Sequence, residues 1–432
     1  MAWRALTLAM AATLLLAPNV ARAQSGGDAG GPAASIGAAS GTADDQLARG
    51  KYLVAAGDCI SCHTRPGSAP FSGGHAISTP YGLIFSPNIT PDKDTGIGAW
   101  TPQDFYRAVH EGIAADGSHL YPAFPYPAFT RITPDDVEAM RVYLASIPAV
   151  AYTPPPNQLH WPFSMRFLMI FWNVLFFKEG VYQPEPDQSA EWNRGAYLVE
   201  SLGHCGACHT ARNIAGGIKR SERLIGARLN DLDGNMLVPW FAADLRSEGN
   251  GGIGDWSVDE IALFLKTGAT QAHGDVAGPM TEVIENSTSQ LSDGDIHAIA
   301  VYLKSLSPSD TAPPSTPASV PADRMAAGQA IYTDNCTTCH QADGSGTPNV
   351  FPPLKSSAVL TAPDPATAVQ IILRGSNEPQ LGGSSVFGMP TYGTKLDDEQ
   401  MSQLMDYLRN SWGNAGAPVS AGTIHDLRGS PL

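Results

Sequence analysis

The chain repeats the pattern Cys-x-x-Cys-His three times, and these motifs contain all six of its cysteines. Two cysteines on one helical turn present their thiols to the same side, where they can add to the two vinyl groups of one porphyrin. The histidine that follows is then held beneath the iron as its proximal ligand. The pattern predicts three covalently bound haem c groups. The predicted attachment residues are Cys59, Cys62, Cys205, Cys208, Cys336 and Cys339, and the proximal ligands are His63, His209 and His340.

The alternatives to haem attachment are a redox disulfide and half of a zinc site, because a lone Cys-x-x-Cys occurs in both. A zinc site needs two such pairs close together, whereas these motifs begin at positions 59, 205 and 336. A thioredoxin-like motif does not require the histidine, which is present here three times. Haem attachment is therefore the favoured interpretation, and no cysteine remains for a nucleophile.

A repeated pair of helical segments accompanies the motifs. Arg49-Gly50-Lys51-Tyr52-Leu53-Val54 precedes the first motif, Arg194-Gly195-Ala196-Tyr197-Leu198-Val199 precedes the second, and 327–332 is a weaker match before the third. Each repeat closes with a segment that starts with acidic residues, as helices often do, and that carries a Tyr-Leu pair. Apolar residues in these segments are spaced by three and four, which predicts one buried face. The sequence predicts an all-α chain of three tandem domains joined by Pro-rich linkers.

The first 23 residues have the pattern of a secretory signal peptide. Arg4 precedes an apolar stretch from Ala5 to Ala17, and Ala21-Arg22-Ala23 is a small-x-small cleavage site. An uncleaved anchor is the alternative, although the apolar stretch is short for a membrane span. The predicted parts of the chain are a signal peptide (1–23), a flexible linker (24–43), three domains (44–150, 189–307 and 322–414), a linker with an aromatic apolar segment (151–188), a Pro-rich linker (308–321) and a polar tail (415–432).

The charge of the chain limits its partners. There are 26 Lys and Arg residues against 41 Asp and Glu residues, a formal net charge of −15. Removal of the signal peptide would make the protein more negative, because Arg4 and Arg22 are lost and no acid is. Such a surface repels nucleic acid, so no nucleic-acid partner is predicted.

The sixth iron ligands are predicted from methionines in the loop before each closing helix. A methionine thioether makes the haem six-coordinate and raises its potential, which suits electron transfer. Met280 in the second repeat and Met389 in the third are the predicted ligands, and each is next to a proline.

The first repeat has Phe124 at the matching place, and phenylalanine cannot ligate iron. Three alternatives remain open for this haem. It is five-coordinate, or a residue from the following linker reaches it, or a histidine ligates it. The histidines considered are His119, His110 and His75, of which His119 is retained as the candidate sixth ligand.

Residues 161–177, here called the apolar segment, form the most apolar stretch after the predicted signal peptide. The segment is interrupted by Pro162, Arg166 and Asn173 and is marginal in length for a membrane span. Aromatic-rich helices of this kind lie in the membrane interface, pack against a partner subunit, or are buried between domains of their own chain. We expect peripheral attachment to the membrane surface through this segment.

The chain resembles the three-haem cytochrome c subunits of membrane-bound dehydrogenase complexes, which serve alcohol, gluconate, sorbitol and fructose dehydrogenases. The resemblance covers essentially the whole chain after the predicted signal peptide. It implies three tandem class I cytochrome c domains, in each of which the two terminal helices cross. The stretches that carry it are Leu120-Tyr121-Pro122-Ala123 with Pro125-Tyr126, Trp172-Asn173 with Phe176-Phe177, and residues 189–199, 204–210 and 409–414.

The resemblance implies an electron-transfer subunit without catalytic residues of its own. Electrons would come from a dehydrogenase catalytic subunit, a quinoprotein, flavoprotein or molybdoprotein, and leave to ubiquinone or a terminal acceptor such as a terminal oxidase. The implied location is the periplasmic face of the bacterial inner membrane. The alcohol-oxidising branch has a methionine ligand at the position of Phe124, and a phenylalanine there is more similar to the branch that accompanies molybdenum hydroxylases.

Two other functions fit parts of the sequence. Phe124 would leave the first haem open, which allows a haem enzyme that acts on peroxide or small gases. The acidic surface and the predicted flexible N-terminal linker would allow a freestanding periplasmic electron shuttle. Binding of carbon monoxide would distinguish the first of these, and co-purification with a large subunit would distinguish a complex from a shuttle.

Overall fold

Three crossings between an opening helix and a closing helix organise the chain in a computed structural model, which describes residues 42–246, 252–308, 319–348, 350–376 and 388–431. The described residues belong to one structural unit, and residues 1–41, which include the whole predicted signal peptide, lie outside them. The crossing pairs are α1 (Ala43–Ala56) with α5 (Pro134–Ser146), α7 (Ala190–Tyr197) with α11 (Asp293–Lys304), and α12 (Ala322–Asn335) with α16 (Asp398–Arg409). We call the three parts of the chain that contain these pairs the first, second and third repeats.

Shorter helices lie between the members of each pair. In the first repeat they are α2 (Cys59–His63), α3 (Pro102–Glu111) and α4 (Tyr126–Phe129). In the second, a π-helical turn (Leu198–Leu202) continues α7 and is followed by α8 (Gly206–His209), α9 (Val258–Thr267) and α10 (Met280–Asn286). In the third they are α13 (Thr337–His340), α14 (Ala358–Thr361) and α15 (Ala366–Arg374). Helix α6 (Leu168–Phe176) connects the first repeat to the second, α17 (Ala421–Leu427) follows the third, and 3₁₀ turns span Arg220–Glu222 and Thr288–Gln290.

A glycine of the opening helix makes each crossing possible. A Cβ atom on Gly50 would lie 2.0 Å from the carbonyl oxygen of Ala139, and one on Gly195 would lie 1.9 Å from that of Ala298. In the third repeat, a Cβ atom on Gly328 would lie 2.1 Å from the carbonyl oxygen of Gln403. Any larger residue would therefore push the two helix backbones apart.

The predicted starts of the closing helices are confirmed. The side chains of Thr133, Ser292 and Asp397 each accept a hydrogen bond from the backbone N–H three residues further on, and α5, α11 and α16 begin directly after them. A side-chain oxygen at this place satisfies a backbone donor that the helix itself leaves free. The acidic residues in the first turn also interact favourably with the helix dipole.

The prediction of an all-α chain is wrong, because the structure contains three small antiparallel sheets. The first has strand order β1 (Ala76–Thr79), β2 (Gly82–Phe85), β3 (Gln158–Leu159), and the second has the order β4 (Ala227–Asp233), β5 (Met236–Ala242), β8 (Ser430–Pro431). A two-stranded ladder joins β6 (Ala269–Thr270) to β7 (Gly274–Asp275). The β4–β5 hairpin turns at Gly234, whose φ of 58° is typical of the tight turns that join such strands.

The C-terminal residues 415–432, predicted to be a polar tail, contain ordered elements. Helix α17 packs against α16, and Gln370 on α15 donates a hydrogen bond to the carbonyl oxygen of Leu427. Strand β8 then pairs with β5 of the second repeat. Ile424 and Leu427, which are fully buried, explain why this segment folds onto the third repeat.

The core is divided unevenly among the repeats. Buried residues of the first and second repeats belong to one continuous apolar cluster, whereas those of the third form a separate one. The predicted linkers between domains therefore do not give each repeat a core of its own, because the first two repeats share one. Leu53 of α1 and Leu202, which ends the π-helical turn, are both buried in the shared cluster.

We expect Gly195→Ala to destabilise the protein by about 3 kcal/mol or more, because overpacking a core of this kind typically costs about 1–3 kcal/mol and here the clash is with backbone. Chemical denaturation followed by circular dichroism measures the change. Gly294→Ala in α11 is the matched control, since a Cβ atom there would meet nothing closer than Ser292 Oγ at 4.0 Å. Equal stability of the two variants would contradict the proposed role of the crossing glycine.

Candidate functional site

Each Cys-x-x-Cys-His motif lies directly after an opening helix, at a sharp change of direction. In the first two repeats the residue before the first cysteine has a left-handed conformation, with φ of 49° at Asp58 and 37° at His204. The motifs then form the short helices α2 and α8, and the third motif forms α13 in the same way. Both thiols of each pair therefore lie on a single helical turn, as attachment to one porphyrin requires.

All six cysteine thiols are free. In the described part of the chain, which includes every cysteine, no group of three or more His, Cys, Asp or Glu side chains is arranged to hold a metal ion. Burial raises the pKa of the Cys59 and Cys205 thiols to about 12.

The histidines of the three motifs share one hydrogen-bond arrangement. In each, the ring Nδ1 lies at hydrogen-bond distance from a backbone carbonyl oxygen, which can only accept, so Nδ1 carries the proton and donates. The acceptors are Pro87 for His63 (2.8 Å), Ala243 for His209 (2.7 Å) and Pro352 for His340 (3.0 Å). Nε2 of each ring is thereby left with a free lone pair, as an iron ligand must be. Burial lowers the pKa of all three histidines, which keeps the rings neutral.

Backbone hydrogen bonds hold the carbonyl-bearing loops against the motifs. In each repeat a glycine N–H donates to the carbonyl oxygen of the motif histidine: Gly73 to His63 (2.7 Å), Gly226 to His209 (3.0 Å) and Gly346 to His340 (3.0 Å). The sequence did not predict these loops. The three acceptor carbonyls carry no residue-type signal, because any residue can supply a backbone oxygen.

Met280 and Phe124 occupy equivalent positions in their repeats. In the second repeat the N–H of Val276 donates to the carbonyl oxygen of Gly268, and in the first the N–H of Leu120 donates to that of Gly112, both at 2.7 Å. Both glycines end the middle helix, α9 or α3. Met280 lies four residues after Val276, and Phe124 lies four after Leu120. The structural register therefore agrees with the register predicted from the sequence.

Met389 is held in a different way. Its N–H donates to Ser376 Oγ (3.1 Å), and its carbonyl oxygen accepts from the N–H of Ser376 (3.0 Å). Ser376 lies two residues after Arg374, the last residue of α15. The Met389 side chain packs against the same apolar cluster as Cys336. This places the methionine in the same repeat as the third motif, although the preceding loop, residues 377–387, lies outside the described residues.

His119, the histidine candidate for the first haem, has a side-chain partner at its Nδ1. Asn173 Nδ2 lies 3.4 Å from its Nδ1, and the Oδ1 of the same amide accepts from the hydroxyl of Tyr126 at 2.5 Å. An amide N–H that donates to Nδ1 places the ring proton of a neutral His119 on Nε2, the opposite of the tautomer in the three motif histidines.

The other two histidine candidates have separate surroundings. His110 is 1% exposed on α3, where its ring stacks on Tyr106 with a centroid distance of 4.3 Å. His75 lies near enough to His63 for the two rings to interact electrostatically, and burial lowers the pKa of His75. Neither lies in the loop that carries Phe124.

Comparison with known proteins identifies the family. A family model described as Cytochrome c matches residues 325–412. The chain is 37% identical over 406 residues to the gluconate 2-dehydrogenase cytochrome c subunit of Pantoea cypripedii, covering 89% of this chain and 91% of that protein. This chain belongs to the family of cytochrome c subunits of dehydrogenase complexes. Members of this family bind haem c covalently, and the chain shares that property.

Other dehydrogenase components show a similar degree of identity. The alcohol dehydrogenase (quinone) cytochrome c subunit of Gluconacetobacter polyoxogenes is 38% identical over 399 residues, covering 89% of this chain and 85% of that protein. A component of the nicotinate dehydrogenase of Pseudomonas putida is 40% identical over 369 residues, which are 84% of this chain but 30% of that longer protein. A role in electron transfer follows from the family.

The equivalence of Phe124 and Met280 leads to a test. We expect Phe124→Met to supply a thioether ligand and to move one of the redox transitions of the protein to higher potential, because methionine ligation raises the potential of haem. Potentiometric titration followed by visible absorption measures it, and a methionine-to-iron charge-transfer band should appear. Tyr121→Met, a methionine in the same loop at the wrong position, is the control. If Phe124→Met changed no transition, Phe124 would not face the iron.

Proposed function

We propose that this chain carries three haem c groups and passes electrons from a dehydrogenase catalytic subunit to ubiquinone or a terminal acceptor. The observation that carries the proposal is the threefold repetition of one arrangement: two free thiols on a helical turn, followed by a histidine whose Nδ1 is bound to a carbonyl and whose Nε2 is free. Bound haem would supply a reversible one-electron change at iron, and the protein supplies its position and potential.

The residues proposed to hold these groups divide into three sets. The six cysteines would make the thioether bonds, His63, His209 and His340 would be the proximal ligands, and Met280 and Met389 would be the sixth ligands in the second and third repeats. The carbonyl oxygens that accept from Nδ1 fix the orientation of each imidazole and raise its basicity. Two methionine-ligated centres and one without methionine would differ in potential, because the axial ligand is a main determinant of it.

The partner is proposed to be a catalytic subunit that carries pyrroloquinoline quinone, flavin or molybdopterin. The gluconate and alcohol dehydrogenase relatives support the first two classes. The nicotinate dehydrogenase relative and the phenylalanine at position 124 favour a molybdenum hydroxylase partner that acts on an aldehyde or an N-heterocycle. Export by residues 1–23 would place the complex at the periplasmic face of the bacterial inner membrane, where c-type haem is attached.

The apolar segment is proposed to rest on the membrane surface. Phe171, Val174 and Leu175 of α6 are 63%, 79% and 72% exposed, so burial of the segment between the first two repeats does not fit. The opposite side of the helix is fixed to the protein, where Trp172 Nε1 donates to the carbonyl oxygen of Ala215 at 2.9 Å. No helix in the described ranges is long and apolar enough to cross a bilayer. A short aromatic helix with one fixed and one exposed apolar face fits the membrane interface.

Purification from native membranes in mild detergent tests the proposed function. We expect the protein to co-purify with a large subunit that contains a bound redox cofactor, and intact mass to show three covalently attached haems. Reduction of the haems by the substrate of the companion subunit would demonstrate the direction of transfer. A protein that purifies alone, or that carries fewer than three haems, would contradict the proposal.

A haem enzyme is the second candidate, and Phe124 is the observation that favours it. A first haem without a sixth protein ligand could bind a small gas or peroxide. Addition of carbon monoxide to the reduced, intact complex distinguishes the two functions. If the spectrum of one haem changes and the protein also turns over peroxide without a companion subunit, the enzyme is favoured. If the spectrum is unchanged, the first haem has a ligand and the enzyme is excluded.

We expect the double variant Phe171→Glu, Leu175→Glu to lose at least tenfold in its binding to phosphatidylcholine vesicles. Burial of each such side chain contributes about 1.5–3 kcal/mol, and about 1.4 kcal/mol corresponds to a factor of ten. Flotation of the purified protein with vesicles measures the binding. Leu263→Glu on α9 is the control, because Leu263 is 50% exposed but distant in sequence from the apolar segment. Equal flotation of both variants would contradict the proposed membrane contact.

A further inference from the structure

The first and second repeats are joined by a tyrosine that reaches from one repeat to the closing helix of the other. The hydroxyl of Tyr52 in α1 donates to Asp295 Oδ2 at 2.6 Å and accepts from the N–H of Ser292 at 3.1 Å. Ser292 is the N-cap of α11, and Asp295 lies in its first turn. Arg194 of the second repeat completes the group, since its Nε and Nη2 donate to the two oxygens of Asp295 at 2.8 and 2.7 Å.

The same group of contacts occurs a second time with the two repeats exchanged. The hydroxyl of Tyr197 in α7 donates to Asp136 Oδ2 at 2.6 Å and accepts from the N–H of Thr133 at 3.2 Å. Thr133 is the N-cap of α5, and Arg49 donates to Asp136 Oδ1 at 2.7 Å. We call these two groups together the clasp. Because each repeat gives a tyrosine and receives one, the clasp relates the first two repeats by a local two-fold symmetry.

The third repeat does not have the residues of the clasp. Aligned on the crossing glycines, Ala327 stands in place of Arg49, and Ala330 in place of Tyr52. Aligned on the tyrosines of the closing helices, Gln400 stands in place of Asp136. The third repeat instead contacts the β4–β5 hairpin of the second repeat, where Arg228 pairs with Asp364 at 2.7 Å. It also keeps a separate apolar cluster.

In the repeats joined by the clasp, the region of each attachment motif contacts a short helix of the other repeat. These helices are α10, which begins at Met280, and α4, which follows Phe124. Asn286, at the end of the helix that begins with Met280, donates to Oγ of Ser61, which lies between the cysteines of the first motif, at 2.9 Å. In the other direction, the ring of His204, directly before the second motif, packs edge-to-face on Phe129 of α4, with a centroid distance of 5.4 Å. Phe129 in turn packs on Phe124, also at 5.4 Å.

The two motifs are also close to each other. A Cβ atom on Gly57, two residues before the first motif, would lie only 3.8 Å from Cδ2 of Leu202, which is three residues before the second motif. Cys62 and Cys208, the second cysteines of the two pairs, are both exposed at the surface of the folded chain. Groups attached at these two places would therefore be neighbours, with hydrogen-bonded side chains and packed rings between the two sites.

We propose that the first and second repeats act as one two-centre redox unit whose geometry is fixed by Tyr52 and Tyr197 as positioning residues, and that the third repeat is a separate centre. The inference rests on the proposed three-haem function. Two charges at neighbouring sites interact, so oxidation of one centre should alter the potential of the other. Electrons would be shared within this pair before or after they pass the third centre.

The test uses the full-length protein with Tyr52→Phe, Tyr197→Phe and the double substitution, each followed by potentiometric titration of the haems. Each substitution removes a hydroxyl that both donates and accepts, while the apolar ring remains. We expect two of the three redox transitions to shift, in the same pair for both single variants, and the third transition to stay unchanged. Tyr81→Phe is the control, because the Tyr81 hydroxyl also joins the two repeats, to the carbonyl oxygen of Ile214 at 2.9 Å, but lies outside the clasp.

The outcomes separate this inference from the function on which it rests. Three transitions that stay unchanged in both single variants, or a shift of all three, would overturn the two-centre unit. A shift in only one of the single variants would overturn the reciprocal clasp. If the double variant failed to fold or to bind haem, the redox transitions of the two single variants would test the two-centre unit. Wild-type protein with fewer than three covalent haems by intact mass would instead overturn the proposed function, whatever the tyrosine variants do.

Discussion

The contact between a glycine and a carbonyl oxygen at each helix crossing is the constraint on which the rest of the structure depends. Gly50, Gly195 and Gly328 let two helix backbones touch, and the position of each attachment motif follows from that contact because the motif begins where the opening helix ends. The closing helix is fixed at its other end by its N-cap. A change of one methyl group at the crossing would therefore displace the motif as well as the helix.

Much of the candidate site could be predicted from the sequence, because its chemistry depends on side chains. The sequence alone identifies the cysteine pairs, the histidine that follows each pair, and a methionine beside a proline. The equivalence of Phe124 and Met280 was also predictable, since both lie beside a proline in the segment before the closing helix. The parts that could not be predicted depend on the backbone. The carbonyl oxygens of Pro87, Ala243 and Pro352 fix the histidine tautomers, and any residue type could have supplied them.

The fold differs from the sequence prediction where contacts between residues distant in sequence determine the pairing of strands and the packing of repeats. The hairpin of β4 and β5 lies in a segment without helical spacing, yet its pairing with β8 joins residues from the second repeat and the end of the chain. The shared core of the first two repeats was unexpected for a similar reason. Proline-rich segments predict where the chain passes from one repeat to the next. They do not predict which surfaces of the repeats pack together. The sequence shows Tyr52 and Tyr197 as equivalent residues of two repeats. Only the structure shows that each tyrosine donates a hydrogen bond to an aspartate of the other repeat.

The division of the core has a consequence for how the protein loses its structure. A continuous apolar cluster behaves as one cooperative unit, because no part of it can open without exposing the buried surface of the rest. The first and second repeats should therefore unfold together, in spite of the long connection between them. The third repeat, with its own cluster, contacts the second through the β4–β5 hairpin, where Phe241 packs against that cluster, and through ion pairs such as that of Arg228 with Asp364, which contribute little. A heated sample would thus pass through a state in which one repeat is open and two remain intact.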